Sequence, residues 1–135
     1  MMEESSYPYT ARDGNCDFDG SKTVATPEGF TEVQYDSVTD LKNAIAEGPV
    51  SVRIAADSFV FQFYSGGILN SKECGIGLNH GVLIVGYGYD ASNKPYYIVR
   101  NSWGASWGMA GYVNIAIVAG HGICGIQMEP VFPFF

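Results

Sequence analysis

The chain has 135 residues, of which 47% are hydrophobic and 14% aromatic, and a net charge of −7. That bounds it to one domain, or one lobe of something larger, apolar enough for a core and too poor in charge for wholesale disorder. Seven cations scattered among fourteen anions form no basic stripe for nucleic acid, and no apolar run approaches membrane-spanning length.

Residues 1–28 begin "MMEESSYPY", without the apolar stretch of a secretory signal. They continue through "DGNCDFDGS", dense in turn-forming Asp and Gly. An extended connector is expected here, with residues 29–135 forming the folded lobe. In "GFTEVQY" Phe30 and Val33 begin a strand. "SVTDLKNAIAEGP" predicts a compact helix. Ser37 is a suitable N-cap, and Asp40 lies near the positive end of the helix dipole. Val38, Leu41, Ala44 and Ile45 share one face, and Gly48-Pro49 stops the helix.

"VSVRIAA" then reads as a strand, rich in β-branched residues. "SFVFQFYSGG" is ambiguous, and the placement of Phe59, Phe63 and Tyr64 favours a short helical turn. "GVLIVGYGY", "PYYIVRN" and "GYVNIAIV" are further strands, and some of their links are too short for a helical crossover, which favours antiparallel pairing. "DASNK", between Tyr89 and Pro95, is a hairpin turn.

His80 heads the strongest strand and Asn101 ends the next. If the two strands pair around "DASNK", imidazole and carboxamide meet at one end of the sheet, within a register uncertainty of about two residues. A carboxamide oxygen bonded to one ring nitrogen fixes tautomer and orientation and leaves the other nitrogen for proton transfer. Both tryptophans, Trp103 and Trp107, follow Asn101 within "NSWGASWG", where an indole can exclude water from that hydrogen bond. A satisfied core histidine followed by an aromatic turn fits the same spacing. Cys16, Cys74 and Cys124 make an odd count, which leaves open a free thiol, an intermolecular partner or an absent piece.

Nearly the whole chain resembles the papain-like cysteine peptidases, of the cathepsin L-like kind. "YPYTARDGNC", "GPVSV", "FQFYSGGI", "LNHGVLIVGYG", "YYIVRNSWGASWGMAGYV" and "GICGIQMEPVFP" occur in family order and at family-like spacing. The resemblance implies an α+β fold: the right-hand lobe of that enzyme, a twisted, barrel-like antiparallel sheet with one or two short helices. It makes His80 the catalytic imidazole, Asn101 its orienting partner, Trp103 the shield over their bond and Trp107 a wall on the leaving-group side. It pairs Cys74 with Cys124 and gives Cys16 a partner in the other lobe.

The family's nucleophile lies in a "CGSCW"-like stretch ahead of "YPY", and neither it nor the preceding oxyanion glutamine occurs here. The resemblance therefore implies a C-terminal half, inactive by itself, whose helical lobe supplies the thiol. In the assembled enzyme His80 takes the thiol proton, the thiolate attacks a peptide carbonyl, and water hydrolyses the thioester. A lobe without its partner exposes an apolar patch, so poor solubility is expected. The other reading is a non-catalytic lobe that binds a partner half, a propeptide or an inhibitor.

Leu78, Asn79, Gly81, Arg53 and Glu129 fall at substrate-binding positions by the same resemblance. Leu78 lines the pocket for the second residue before the cut, Glu129 lies at its floor, and Asn79 tunes the charge beside His80. A carboxylate at the floor implies tolerance of basic as well as apolar side chains, unless Arg53, where a small wall residue is usual, neutralises it. Gly66-Gly67 either lets backbone run beside the cleft or makes an ordinary turn. Cys74, His80, His121 and Cys124 have zinc-ligand types, but His80 has the catalytic use already given. No metal or cofactor is expected, and His121 is read as a solvent-facing loop residue. Peptide or protein substrates, a propeptide, cystatin-type inhibitors, and a lysosomal or secreted setting complete what the resemblance implies.

Overall fold

The computed structural model describes all 135 residues. Its elements are β1 (Gly29–Glu32), α1 (Val38–Glu47), β2 (Val50–Ile54), α2 (Phe59–Gln62), β3 (Ile68–Leu69), β4 (His80–Tyr89), β5 (Pro95–Arg100), β6 (Tyr112–Ala116) and β7 (Val131–Phe134). The strands make one seven-stranded sheet in the order β1-β7-β2-β4-β5-β6-β3. This is an α+β architecture dominated by antiparallel pairing.

Alternation along the strands builds the core. Val50, Val52 and Ile54 of β2 point inward, while Ser51 and Arg53 point outward. Ile84, Tyr97, Val99, Val113 and Ile115 continue the buried layer across β4, β5 and β6. Each such side chain contributes up to about 1.5–3 kcal/mol by leaving water. The helix α1 seals one side by burying Leu41 and Ile45. Its start is fixed by Ser37, whose Oγ accepts from the Asp40 N–H at 3.2 Å, and its end by Gly48.

The β4–β5 hairpin turns on Asp90, whose carboxylate accepts from the N–H groups of Ser92 and Lys94, each at 2.8 Å. Asn93 adopts the left-handed conformation that its side chain tolerates (φ 61°). A register shift between Ile84 and Gly86 then offsets the two strands.

Three features depart from the strand-by-strand expectation. The pairing of β3 with β6 is parallel, with Ile68 opposite Asn114; β4 and β5 lie between them in sequence, so the connection is long enough for a crossover. The strand β7 was not expected, and it pairs with β1 and meets Ser51 of β2. The short helix α2 forms, but the inward residues are Phe61 within it and Tyr64 just beyond its end. Phe59 and Phe63 are 78% and 74% exposed and stack on each other at 5.9 Å. Spacing explains this, because positions three or four apart share a helix face.

Residues 1–28 contain a 3₁₀ turn at Gly20–Lys22 and an isolated bridge from Met2 to Thr23. None of them is buried.

Candidate active site

The strand ends place the imidazole. Ile54 pairs with His80 at the end of the β2–β4 ladder. Beyond it the Asn79 N–H donates to the Ile54 carbonyl at 2.9 Å, and Asn79 Oδ1 accepts from the Ala56 N–H at 2.9 Å. The Asn79 side-chain oxygen is thus committed to backbone just past the end of β2, where it fixes the chain entering His80.

Asn101 follows β5 and is held by its own N–H, which donates to the Gly111 carbonyl at 3.0 Å. Its Oδ1 lies 2.8 Å from His80 Nε2 and also accepts from the Ser102 N–H at 2.8 Å. The second bond decides the proton's place. A backbone N–H can only donate, so the atom facing it is the carboxamide oxygen. His80 Nε2 must then carry a hydrogen, and in the neutral ring Nδ1 keeps a free lone pair. The arrangement can take a proton at Nδ1 without losing its anchor at Nε2.

That anchor has a cost. Asn101 is 8% exposed, and its Nδ2 is buried without a hydrogen-bond partner. An orphaned buried amide hydrogen costs about 1–3 kcal/mol, which marks a position arranged for something other than stability.

Aromatic rings close the site. Trp103 lies 5.1 Å from the His80 ring, and Phe61 supports it edge-on at 5.4 Å. Trp107 packs 5.3 Å from Trp103 and 5.1 Å from Phe61, all within the range of favourable aromatic pairs. The loop between β5 and β6 is tight where it carries these indoles. Gly108 has φ 58°, and a Cβ there would stand 2.5 Å from the Tyr112 carbonyl oxygen, so this turn requires glycine.

The remaining positions fall in two groups. Arg53 Nη1 meets Glu129 Oε2 at 2.9 Å, and Nη2 donates to the Leu78 carbonyl at 3.4 Å. Gly81 is the register partner of Arg53. These four residues therefore gather beside His80. Cys74 and Cys124, both buried, are joined in a disulfide, while Cys16 is exposed and unpaired. An oxidised sulfur pair does not offer thiolates to a metal. His121 is half-exposed, and its Nδ1 pairs with the Asp36 carboxylate at 2.8 Å. Gly67 takes a left-handed φ of 75°, and its carbonyl accepts from Tyr64 Oη at 2.6 Å; no backbone or side chain crowds the pair, which makes a turn. On the outer sheet face a groove of about 830 Å³ runs past Gly81, Arg100, Asn101 and Tyr112.

Phe61 was not singled out from sequence, although its spacing of three from Tyr64 carried the signal. Gln127 gave no signal at all. It is fully buried, accepts from the Tyr97 hydroxyl at 3.0 Å and donates to the Val118 carbonyl at 3.0 Å.

A family model described as "Papain family cysteine protease" matches residues 1–134. The chain belongs to the papain family. Among relatives, it is 42% identical to fruit bromelain of Ananas comosus, an alignment covering 98% of this chain and 38% of the relative. It is 45% identical to digestive cysteine proteinase 3 of Homarus americanus, covering 96% of this chain and 40% of the relative. The chain thus spans less than half the length of the curated relatives it matches. The solved structure of the bromelain protease from Ananas comosus with the E64 inhibitor superposes with a TM-score of 0.87 at 37% identity, over 99% of this chain and 62% of that one. The proform of the ragweed pollen allergen Amb a 11 gives a TM-score of 0.85 at 35% identity, over 98% of this chain and 36% of that one. The sheet is the papain-like fold.

Proposed function

We propose that this chain is the imidazole-bearing lobe of a cysteine endopeptidase, residues 29–135, entered through a connector at 1–28. The observation that carries the reading is the His80–Asn101–Ser102 chain of hydrogen bonds, which leaves Nδ1 as the free base. The nucleophile is a cysteine in the part of the enzyme that the matched relatives have beyond this chain. Cys74 and Cys124 are consumed in a disulfide, and Cys16 pairs with the other lobe.

His80 Nδ1 accepts the thiol proton, which creates a thiolate beside an imidazolium. Asn101 is a positioning residue: it holds Nε2–H and adds no charge to the ion pair. The thiolate sulfur bonds to the peptide carbonyl carbon, and the carbonyl electrons move to oxygen. As that intermediate collapses, the C–N bond breaks and His80 returns its proton to the leaving amine. Water, deprotonated by the same nitrogen, then cleaves the thioester. Trp103 shields the His80–Asn101 bond from water, and Trp107 bounds the leaving-group side. Leu78, Gly81, Arg53 and Glu129 line the pocket for the second residue before the cut, and Asn79 positions His80 through its backbone.

The other lobe packs over the outer groove, where Arg100 is exposed and forms no ion pair. A propeptide and small or cystatin-type inhibitors are proposed partners, supported by relatives solved as a proform and with E64. The disulfide supports a secreted or lysosomal setting.

The test is His80→Ala in the full-length enzyme, read by peptide hydrolysis and by alkylation of the active thiol. Hydrolysis falls at least about 10²–10⁴-fold, and alkylation near neutral pH slows because the thiolate loses its counter-ion. Wild-type protein that cleaves no peptide yet binds a propeptide would instead establish a non-catalytic binding lobe.

A further inference from the structure

A second, smaller cavity is lined by none of the residues gathered around His80 and Asn101. It measures about 260 Å³ and opens between the 3₁₀ turn at Lys72–Cys74 and the loop that leads from β6 to β7. Lys72 and Ile76 stand on one wall, and Val118, His121 and Ile123 on the other. The buried Cys74–Cys124 disulfide ties the two walls together.

The loop wall is preorganised by Gln127, which is fully buried. Its Nε2 donates to the carbonyls of Val118 and Gly120, and its Oε1 accepts from the Tyr97 hydroxyl. Its backbone N–H donates to the His121 carbonyl at 3.0 Å. All the hydrogen-bonding capacity of the amide's nitrogen is thus spent on fixing this loop. On the facing wall Ile76 is 49% exposed, an isoleucine that folding leaves in water.

Charge at the cavity has one sign. Its only ionisable side chains are Lys72 and His121, both basic, in a chain of net charge −7. Asp36 answers His121, 2.8 Å from Nδ1, whereas Lys72 forms no ion pair. The cavity therefore joins an apolar lining to one uncompensated cation.

We propose that this cavity is a second ligand site, separate from the catalytic one, for a small free carboxylic acid with a single ring or a branched chain. Its apolar body packs on Ile76, Val118 and Ile123, and its carboxylate pairs with Lys72. The volume decides the size, since it falls below the range of about 300–1,000 Å³ usual for ligand pockets. A folded peptide segment or a nucleotide is too large. An exposed lysine pair changes affinity by no more than about fivefold. The apolar body therefore supplies most of the binding, and Lys72 sets the preference for acid. A ligand of about ten non-hydrogen atoms then binds with a roughly millimolar Kd.

The test titrates phenylacetate, its neutral amide phenylacetamide, and phenethylammonium into the full-length enzyme with isotope-labelled methyl groups. Phenylacetate is expected to move the methyl signals of Ile76, Val118 and Ile123 together, while those of the core residues Val52 and Val113 stay fixed. The amide is expected to bind about three- to fivefold more weakly, and the amine more weakly still. Lys72→Ala should bring acid and amide level, and Lys72→Arg should keep them apart. Lys72 is exposed, and the Val52 and Val113 signals report that each variant is folded. Cavity methyls that stay still at about 20 mM phenylacetate, well past the expected constant, overturn the site. Equal binding of acid and amide by wild type, or a preference that survives Lys72→Ala, overturns the assignment of a carboxylate to Lys72. No readout depends on peptide hydrolysis, so failure here is distinct from failure of the catalytic reading.

Discussion

The indole N–H of Trp107 donates to the backbone carbonyl of Gln62 at 2.9 Å. This bond joins the loop after Asn101 to α2, and it explains why both tryptophans stand in one short stretch. Phe61, next to Gln62 and fully buried, is the shared floor on which Trp103 and Trp107 rest. The loop is thus clamped to a helix that precedes it by some forty residues, and Trp103 is held over His80 as a consequence.

Replacing Trp107 by Phe keeps most of the aromatic surface and deletes the donor. Loss of the bond and of the larger ring is expected to lower stability by about 1–2 kcal/mol. A urea titration checks it: the midpoint falls while the slope stays constant. An unchanged midpoint would mean that packing alone holds the loop.

Asn101→Ala removes the acceptor that fixes His80 Nε2–H. The imidazole can then rotate and exchange tautomers, so kcat/KM of the full-length enzyme is expected to fall about 10–100-fold. Removing the carboxamide also removes the orphaned Nδ2, so the loss of stability is smaller than the activity loss suggests. Nitrogen chemical shifts of the His80 ring supply the independent readout, moving from one tautomer to a mixture. A ring that stays in the Nε2–H form would show that something other than Asn101 selects it.

The disulfide of Cys74 and Cys124 closes a loop with a sequence separation of 50. On the chain-entropy account such a closure contributes about 4 kcal/mol, mainly by restricting the unfolded chain. Changing both cysteines to Ala is expected to lower the unfolding free energy by about that amount. Equal stability of the oxidised and double-Ala proteins would show that the unfolded chain is already compact there.

Local signals made much of this fold legible. Ser37, the apolar face of Leu41 and Ile45, and Gly48 specify α1 with no help from the rest of the chain. The runs forming β4 and β5 are long, and Asp90 and Asn93 mark the turn, so the approach of His80 to Asn101 was readable to about two residues. The residual error has a cause: the register at the turn, Tyr89 opposite Pro95, would put Asn101 level with Leu83, and the shift at Ile84–Gly86 brings it level with Val82, two residues from His80. What stayed hidden depends on distant partners. The strand β3 is two residues long and exists because β6 accepts it. Pro133 disguises β7 as a loop, since proline lacks a ladder donor. Asn79 gives no local sign that its oxygen meets the Ala56 N–H twenty-three positions away, and the Arg53–Glu129 pair spans seventy-six positions.

Tyr97 gives the fold an alkaline limit. Its side chain is fully buried with its hydroxyl on Gln127, and burial pushes the phenol well above its ordinary value of 10.0. Below that value the hydroxyl is protonated in both folded and unfolded chains, and the stability it contributes is complete. Above it the unfolded chain releases the proton while the folded one retains it, so stability is lost as pH rises through the alkaline range. The slope from this one group is about 1.4 kcal/mol per pH unit. Unfolding free energies measured from neutral pH upward should therefore begin to fall near pH ~10. Tyr97→Phe should remove that slope. It also costs about 1–3 kcal/mol at neutral pH, because the Gln127 Oε1 acceptor is left without its donor. If the variant kept the wild-type alkaline slope, the titrating group would lie elsewhere, with Tyr64, also raised by burial, the next to replace.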